Sequence, residues 1–229
     1  MSFPTEALYT ASAWVLPVLM AIILHEVAHG WVAYLLGDNT AKSAKRLTLN
    51  PFRHIDRFGT IILPALLIIL KVGVVFGYAK PVPVNFRNLH HPRRDMILVA
   101  AAGPASNIIQ IFICALLLHV FVLFQKSTLV TWFTLNVHNA ILINALLAVF
   151  NMIPIPPLDG SRVLAGMLPG SLLRFYTRLE PVGIILVFGL LFLSSWLAST
   201  FGFDEGPIQS FLIDASNWVI TTILHLTGH

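Results

Sequence analysis

The chain has 229 residues, of which 57% are hydrophobic and only 10% are charged, whereas soluble domains carry roughly 25% charged residues. This composition excludes an ordinary soluble domain and predicts a protein that crosses the membrane several times. The net charge of +4 does not indicate nucleic-acid binding, because the basic residues lie in short loops between apolar segments, as in cytoplasmic loops of membrane proteins.

The first apolar segment lies between Glu6 and Asp38, where Glu26 is the only acidic residue and no Lys or Arg occurs. Its length exceeds the roughly 20 residues that a helix needs to cross a bilayer. It therefore predicts the first transmembrane helix. The start of the chain lacks the basic region and cleavage site of a signal peptide, so we expect this helix to remain in the mature protein.

The segment over residues 58–84 is apolar but is interrupted by Lys71, by glycines and by a Pro-x-Pro sequence. Basic residues precede and follow it, so both flanks favour the same side of the membrane. We expect a re-entrant path, a short helix followed by an extended return, with a plain sixth span as the alternative. Non-helical backbone at membrane depth must be buried or line a cavity, so this segment is expected to wall a site. Its end, Tyr78–Asn85, could be an edge strand that pairs with an extended substrate, or a structural loop.

Further apolar runs cover residues 96–124, 129–150, 181–201 and, less strongly, 208–226. The fold class predicted is therefore an all-α polytopic membrane protein with five to six transmembrane helices, in which the re-entrant or β-like segment follows the first helix. We expect one membrane-embedded domain over residues 1–229, with a core at about 9–168 and accessory helices at about 180–226. The basic loops are expected inside, and the Asp204–Glu205 loop, which lacks Lys and Arg, outside.

Residues 25–29 read His-Glu-Val-Ala-His, an HExxH motif within the first helix. A step of four residues places His25 and His29 on one helix face, within reach of a single metal ion, and Glu26 can deprotonate a water molecule there. Placing an acid near the bilayer centre costs about 2.5–3.5 kcal/mol. An acid and two histidines in a segment that otherwise excludes charge therefore predict a zinc site.

A third ligand is required, because catalytic zinc sites normally use three protein ligands and keep one open position. Residues 151–160 read Asn-Met-Ile-Pro-Ile-Pro-Pro-Leu-Asp-Gly, where three prolines end the preceding helix. The distribution of basic loops predicts that Asp159, which follows, lies on the same side of the membrane as the HExxH turn. Alone it could be a loop acid or a helix N-cap, but the incomplete zinc site favours a ligand.

These two motifs together resemble the site-2 protease family of intramembrane zinc metalloproteases, whose signatures are HExxH in an apolar helix and N-x-x-P-x-P-x-L-D-G. The resemblance continues in Gly103–Asn107, which reads GPASN, and in Gly77–Asn85, and spans roughly residues 15–165. It is closest to compact members that lack a PDZ domain. The resemblance implies the following roles: zinc on His25, His29 and Asp159, general base Glu26, and Asn151 assisting substrate or transition-state binding.

Two of these positions keep alternatives when read from the residues themselves. The Asn151 amide could donate to a developing oxyanion or cap carbonyls freed near Pro154. Gly103 is expected to allow close helix approach, and Asn107 to form hydrogen bonds between helices.

We expect hydrolysis of peptide bonds in transmembrane or membrane-proximal segments of other proteins, with one zinc per chain. The expected location is the inner membrane of a prokaryote, with the site toward the cytoplasm and no nucleic-acid partner. One alternative is an ion or metal transporter, which would need ionisable residues in several spans. Another is a catalytically silent scaffold, which would lack the base or a ligand. Acids outside the loops are nearly confined to Glu26, and base and ligands are all present.

Overall fold

A computed structural model describes residues 3–62, 65, 66, 69, 79–125 and 127–229. In these residues the regular structure is helical and no strand occurs. The helices are α1 (Phe3–Leu35), α2 (Thr40–Ser43), α3 (Pro92–Val122), α4 (Thr128–Asn151), α5 (Asp159–Met167), α6 (Gly170–Thr177), α7 (Gly183–Phe201) and α8 (Pro207–Leu226). Short 3-10 turns cover Pro51–Arg53, Phe86–Asn88 and Glu180–Val182, and a π-helical turn covers Arg57–Ile62.

Four described helical segments are long and apolar enough to cross a membrane: Leu8–Leu35, Pro92–Val122, Thr128–Asn151 and Glu180–Phe201. The predictions of an all-helical membrane protein and of these four helices are confirmed. The weaker fifth run is also helical, as α8, but is not one of the four. Five to six spans therefore stay a prediction.

Most of the segment predicted to re-enter the membrane lies outside the described residues, since 63, 64, 67, 68 and 70–78 are not among them. The re-entrant path is therefore not confirmed. Residues 79–85 are described and have no regular secondary structure. The β-like character expected of this return is thus not found in its described part.

Local signals explain where the central helices begin. Pro92 starts α3, where a missing N–H leaves no hydrogen bond unmade. Asp95, in the same first turn, accepts a hydrogen bond from the backbone N–H of His91 at 2.7 Å. The hydroxyl of Ser127 accepts from the N–H of Val130 at 3.3 Å and caps α4. These contacts fix where α3 and α4 begin.

Helices α1, α3 and α4 pack against one another and form the centre of the molecule. Buried amides join them: Asn107 of α3 donates to Asn144 Oδ1 of α4 at 2.7 Å, and Asn139 donates to the carbonyl of Ala13 in α1 at 3.0 Å. In lipid, such bonds and close packing hold helices together, since burial from water contributes little there. The result is a three-helix unit that can carry a defined site.

Helix α8 packs along α4 and runs toward the far end of α3. Its last turn meets α3, where His119 Nε2 lies 2.7 Å from the carbonyl oxygen of Thr227. Its first residue, Pro207, instead lines a cavity together with Pro154 and Leu158, which precede Asp159 in the chain. This direction of α8 favours a position of the Asp204–Glu205 loop at the same end of the bundle as Asp159, whereas its lack of basic residues predicts the outside. The placement of this loop stays a prediction.

Candidate metal centre

The HExxH turn of α1 and the first residue of α5 meet at one point, although they are far apart in the chain. Asp159 Oδ2 lies 3.1 Å from His25 Nε2 and 3.2 Å from His29 Nε2. The two Nε2 atoms are 3.1 Å apart. The three residues singled out in the sequence as ligands are therefore brought together, and they form a group that could hold a metal ion.

The hydrogen bonds behind the imidazoles fix which ring nitrogen carries the proton. His29 Nδ1 lies 2.7 Å from the carbonyl oxygen of Val99, which can only accept. His25 Nδ1 lies 2.7 Å from Asn107 Oδ1. Nδ2 of Asn107 donates to Asn144 Oδ1, and this bond orients the Asn107 amide with its oxygen toward His25. Both Nδ1 atoms therefore carry the proton, and both Nε2 atoms present lone pairs to each other and to Asp159.

This donor set fits zinc. Asp159 Oδ2 is buried and has no hydrogen-bond partner, and the two neutral imidazoles offer it lone pairs rather than protons. Three acceptors this close repel one another unless a cation or an added proton lies between them. Tetrahedral zinc, with ligand distances near 2.0–2.1 Å, separates its ligands by about 3.3 Å, close to the 3.1–3.2 Å found here.

The Asp159 carboxylate is ionised, which is the form that binds a cation. Burial alone would raise the pKa of this carboxyl, because it disfavours charge. When His25 and His29 are protonated and no cation is bound, N–H donation and positive charge from their imidazoles outweigh this effect and lower the pKa to about 2; a bound cation would favour the ionised form in the same way. Asp159 is also the first residue of α5, where the helix dipole favours a negative charge.

Space for the ion is provided by Gly103 of α3. A Cβ added there would lie 2.6 Å from His25 Nε2 and would also overlap with His29 Nε2. A side chain at this position would therefore occupy the space between the ligands. The role expected from the sequence was close packing of helices, and the structure shows that the close neighbours are the two imidazoles.

Glu26 points to the segment that returns toward α3. Its Oε2 accepts a hydrogen bond from the backbone N–H of Val82 at 2.7 Å. The carboxylate of the expected base is thus anchored by one oxygen, and its partner comes from 56 residues further along the chain. This contact ties Val82 to the HExxH turn, whereas the wall expected from the whole segment over residues 58–84 stays a prediction.

Asn151 ends α4, and its side-chain amide donates to the carbonyl of Leu147 at 3.1 Å. In this conformation the amide is used by a backbone carbonyl of its own helix. To donate to a substrate it would have to change rotamer. Its role in substrate or transition-state binding stays a prediction.

Three supporting groups were not assigned to the site from the sequence: the amide of Asn107, the carbonyl of Val99 and the N–H of Val82. A signal existed only for Asn107, which is a polar residue within an apolar helix and is completely buried. The other two are backbone groups, and a side-chain pattern carries no information about their direction.

Curated relatives of this chain carry the name of a zinc enzyme. "Putative zinc metalloprotease YwhC" of Bacillus subtilis is 39% identical over 183 residues, which are 79% of this chain and 80% of that protein. "Putative zinc metalloprotease Rip2" of Mycolicibacterium smegmatis is 28% identical over 203 residues, 86% of this chain and 75% of that protein. Rip2 of Mycobacterium tuberculosis is 32% identical over 142 residues, 62% of this chain and 52% of that protein. No protein-family model and no solved structure matches the chain.

Proposed function

Because the chain belongs to the site-2 protease family of zinc metalloproteases, we propose that it is an integral-membrane zinc endopeptidase that cuts transmembrane or membrane-proximal segments of other proteins. The observation that supports this most directly is the convergence of His25 Nε2, His29 Nε2 and Asp159 Oδ2 within 3.2 Å of one another. A carboxylate, Glu26, adjoins them in sequence and is available for proton transfer.

The three ligands would hold one zinc ion per chain. Zinc bound there would polarise the scissile carbonyl and lower the pKa of water to about 7. Glu26 takes the proton of the attacking water and passes it to the leaving amine. The bond from the Val82 N–H to one carboxylate oxygen limits rotation of Glu26, and Asn107 and Val99 keep the imidazoles in the ligating tautomer.

The substrate must reach Glu26 as an extended segment, since the hydrogen bonds of a helix shield its carbonyls. Gly, Pro or Asn in the substrate weakens the helix and should favour cleavage. Extended pairing with residues 79–85 remains a hypothesis. The Val82 N–H is already used by Glu26, so any such pairing would use other backbone groups of this segment.

The whole chain is proposed to act as one membrane-embedded domain, with the site toward the cytoplasm of a prokaryotic cell. The support for this orientation is the loop after α1, which is basic and lies next to the site. The transporter alternative is not favoured, because the relatives are named as proteases and α4 contains no Asp, Glu, Lys or Arg. The scaffold alternative is not favoured, because the base and all three ligands are present.

Purified variants test this function through zinc content and cleavage of a membrane-protein substrate. Wild type should hold about one zinc per chain. Glu26→Gln should keep the zinc and lose about 10²–10⁴-fold in cleavage rate, the contribution typical of a general base. His25→Ala should lose both. His138→Ala, which changes a histidine that contacts the Thr134 carbonyl of its own helix α4, should keep both. Undiminished proteolysis by Glu26→Gln, or folded wild type without zinc, would contradict the proposal.

A further inference from the structure

A second cavity lies outside the metal centre, in the loop that follows α1. It has a volume of about 350 Å³ and is lined by Lys42, Lys45, Leu47, Thr48, Asn50 and Arg53. Three of these six residues are cations and none is an acid. We refer to this cavity as the basic pocket.

The positive charge of the basic pocket is not neutralised by side chains in the described part of the chain, where the ion pairs join only the zinc ligands. The acids that flank the loop are used by backbone donors. Asp38 accepts from the N–H of Asn85 at 2.7 Å, and Asp56 accepts from the N–H of Gly59 at 2.7 Å. The pocket is therefore suited to an anion from outside the chain.

Aromatic residues at the end of α1 indicate the depth of the basic pocket in the membrane. The Lys42 ammonium donates to the Tyr34 hydroxyl at 2.6 Å and lies 4.3 Å from the centre of its ring. Trp31, about one turn earlier, is 52% exposed. Trp and Tyr at the end of a membrane helix lie in the headgroup region. We therefore expect Lys42, and with it the pocket, at that depth.

The same loop exposes two large apolar side chains beside the basic pocket. Leu49 is 55% exposed and Phe52 is 79% exposed, and they alternate with the pocket residues Thr48, Asn50 and Arg53. Exposed apolar side chains next to cations are typical of segments that dip into a membrane surface. A free phosphate ion would make no use of them, whereas a phospholipid would bury them among its acyl chains.

The walls of the basic pocket are held in place by buried residues behind it. His54 is only 3% exposed, and its Nε2 lies 2.8 Å from the carbonyl oxygen of Thr48. Arg46 is 7% exposed and donates to the carbonyl of Lys80 at 2.7 Å. Because the loop is anchored from behind, the pocket is formed before a ligand arrives, which lowers the entropic cost of binding.

We propose that the basic pocket binds the phosphate of an anionic phospholipid, with Leu49 and Phe52 inserted among the acyl chains. Lys42, Lys45 and Arg53 supply the charge, and the hydroxyl of Thr48 and the amide of Asn50 supply neutral polar groups. This site is separate from the metal centre and does not depend on proteolysis.

The test is isothermal titration calorimetry of the protein in detergent. Dioctanoyl phosphatidylglycerol, dioctanoyl phosphatidylcholine and inorganic phosphate are titrated in separate experiments. Wild type should bind phosphatidylglycerol at least tenfold more tightly than either other probe. The double variant Lys45→Gln/Arg53→Gln should bind it about 30-fold more weakly, which is about 1 kcal/mol for each lost charge near the membrane surface.

The matched control is Arg87→Gln/Arg94→Gln, which removes the same charge from exposed positions outside the pocket. It should weaken binding less than threefold. If both double variants lost the same affinity for phosphatidylglycerol, the attraction would come from the total charge of the protein and the proposal would be overturned. Equal affinity of wild type for the two lipids would also overturn it. Phosphate binding as tight as phosphatidylglycerol binding would overturn the lipid assignment. Unchanged zinc content and an unchanged circular dichroism spectrum verify that the variants fold. Should the double variant not fold, Arg53→Gln alone is expected to bind phosphatidylglycerol about fivefold more weakly than wild type.

Discussion

At the candidate metal centre, Gly103 lies where any side chain would meet the two imidazoles. Real Cβ atoms essentially never approach within 3.0 Å of a heavy atom to which they are not covalently linked. A Cβ added at Gly103 would lie 2.6 Å from His25 Nε2. Gly103→Ala should therefore displace a ligand and weaken zinc binding by about 10–100-fold, the range seen when groups supporting metal ligands are changed. Gly189→Ala, in a helix with open space around the glycine, should leave zinc content unchanged. The zinc content of both variants after dialysis is the measurement. Equal zinc retention by Gly103→Ala and Gly189→Ala would contradict the role of Gly103.

The sequence predicted the three side chains that meet at the candidate metal centre, but not the groups that support them. His25 and His29 were predictable because the four-residue step of a helix places both on one face. Asp159 was predictable because zinc requires a third ligand and the prolines before it end the helix. The partner of His25 is 82 residues away, and no periodicity relates residues at that distance. The same holds for the Val82 N–H that anchors Glu26.

At the scale of elements, the return segment over residues 79–85 has two possible roles in catalysis, which two proline variants separate. Val82→Pro removes the N–H that Glu26 accepts, whereas Val84→Pro leaves this bond in place. If the segment acts by orienting Glu26, only Val82→Pro should reduce the cleavage rate, by about tenfold or more, with zinc retained in both. If substrates pair with this segment, both variants should be impaired. Cleavage assays with a zinc measurement distinguish these outcomes, and full activity of Val82→Pro would exclude the orienting role.

The junction between α1 and the return segment depends on the buried carboxylate of Asp38. Burial alone would raise the pKa of Asp38, but hydrogen bonds from Thr40, Asn85 and Asn88 outweigh it and lower the pKa. Bonds to a charged group contribute about 1.5–3 kcal/mol each. Asp38→Asn should therefore speed hydrogen exchange at the Asn85 amide by about 10–100-fold at neutral pH.

The pH dependence of this contact follows from the direction of the shift. A lowered pKa in the folded state means that the contribution of Asp38 is complete above its unfolded value of about 3.9. The contribution is lost as the pH falls from there through the folded pKa. Exchange at Asn85 in wild type should approach that of Asp38→Asn only in that acidic range. Protection that is the same in both proteins at neutral pH would contradict the role of Asp38.

For the whole molecule, hydropathy predicted where the helices lie, but which of α7 and α8 crosses the membrane stays a prediction. Helix α7 is the more apolar, yet it packs mainly against α8 and the turn before it. Helix α8 is less apolar because it contains polar residues, but it buries Leu212, Ser216 and Ile223 against its neighbours. Hydropathy counts every residue as if it faced lipid, so it undervalues a helix whose polar side chains are covered by protein.

Cysteine labelling tests the path of α8, which has 20 residues and at 1.5 Å per residue is about 30 Å long, enough to cross the hydrocarbon core. In a Cys114→Ala background, cysteines at Gln125 and Thr227 should react with an impermeant maleimide from one face, because α8 ends beside the far end of α3. A cysteine at Lys45 should react from the other face. Pro207, at the start of α8, lines the same cavity as Pro154 and Leu158, so a cysteine at Asp204 should be labelled together with Lys45. Labelling of Asp204 together with Gln125 would instead mean that α7 crosses the membrane and that α8 begins on the far side, as the charge of the loops alone predicts.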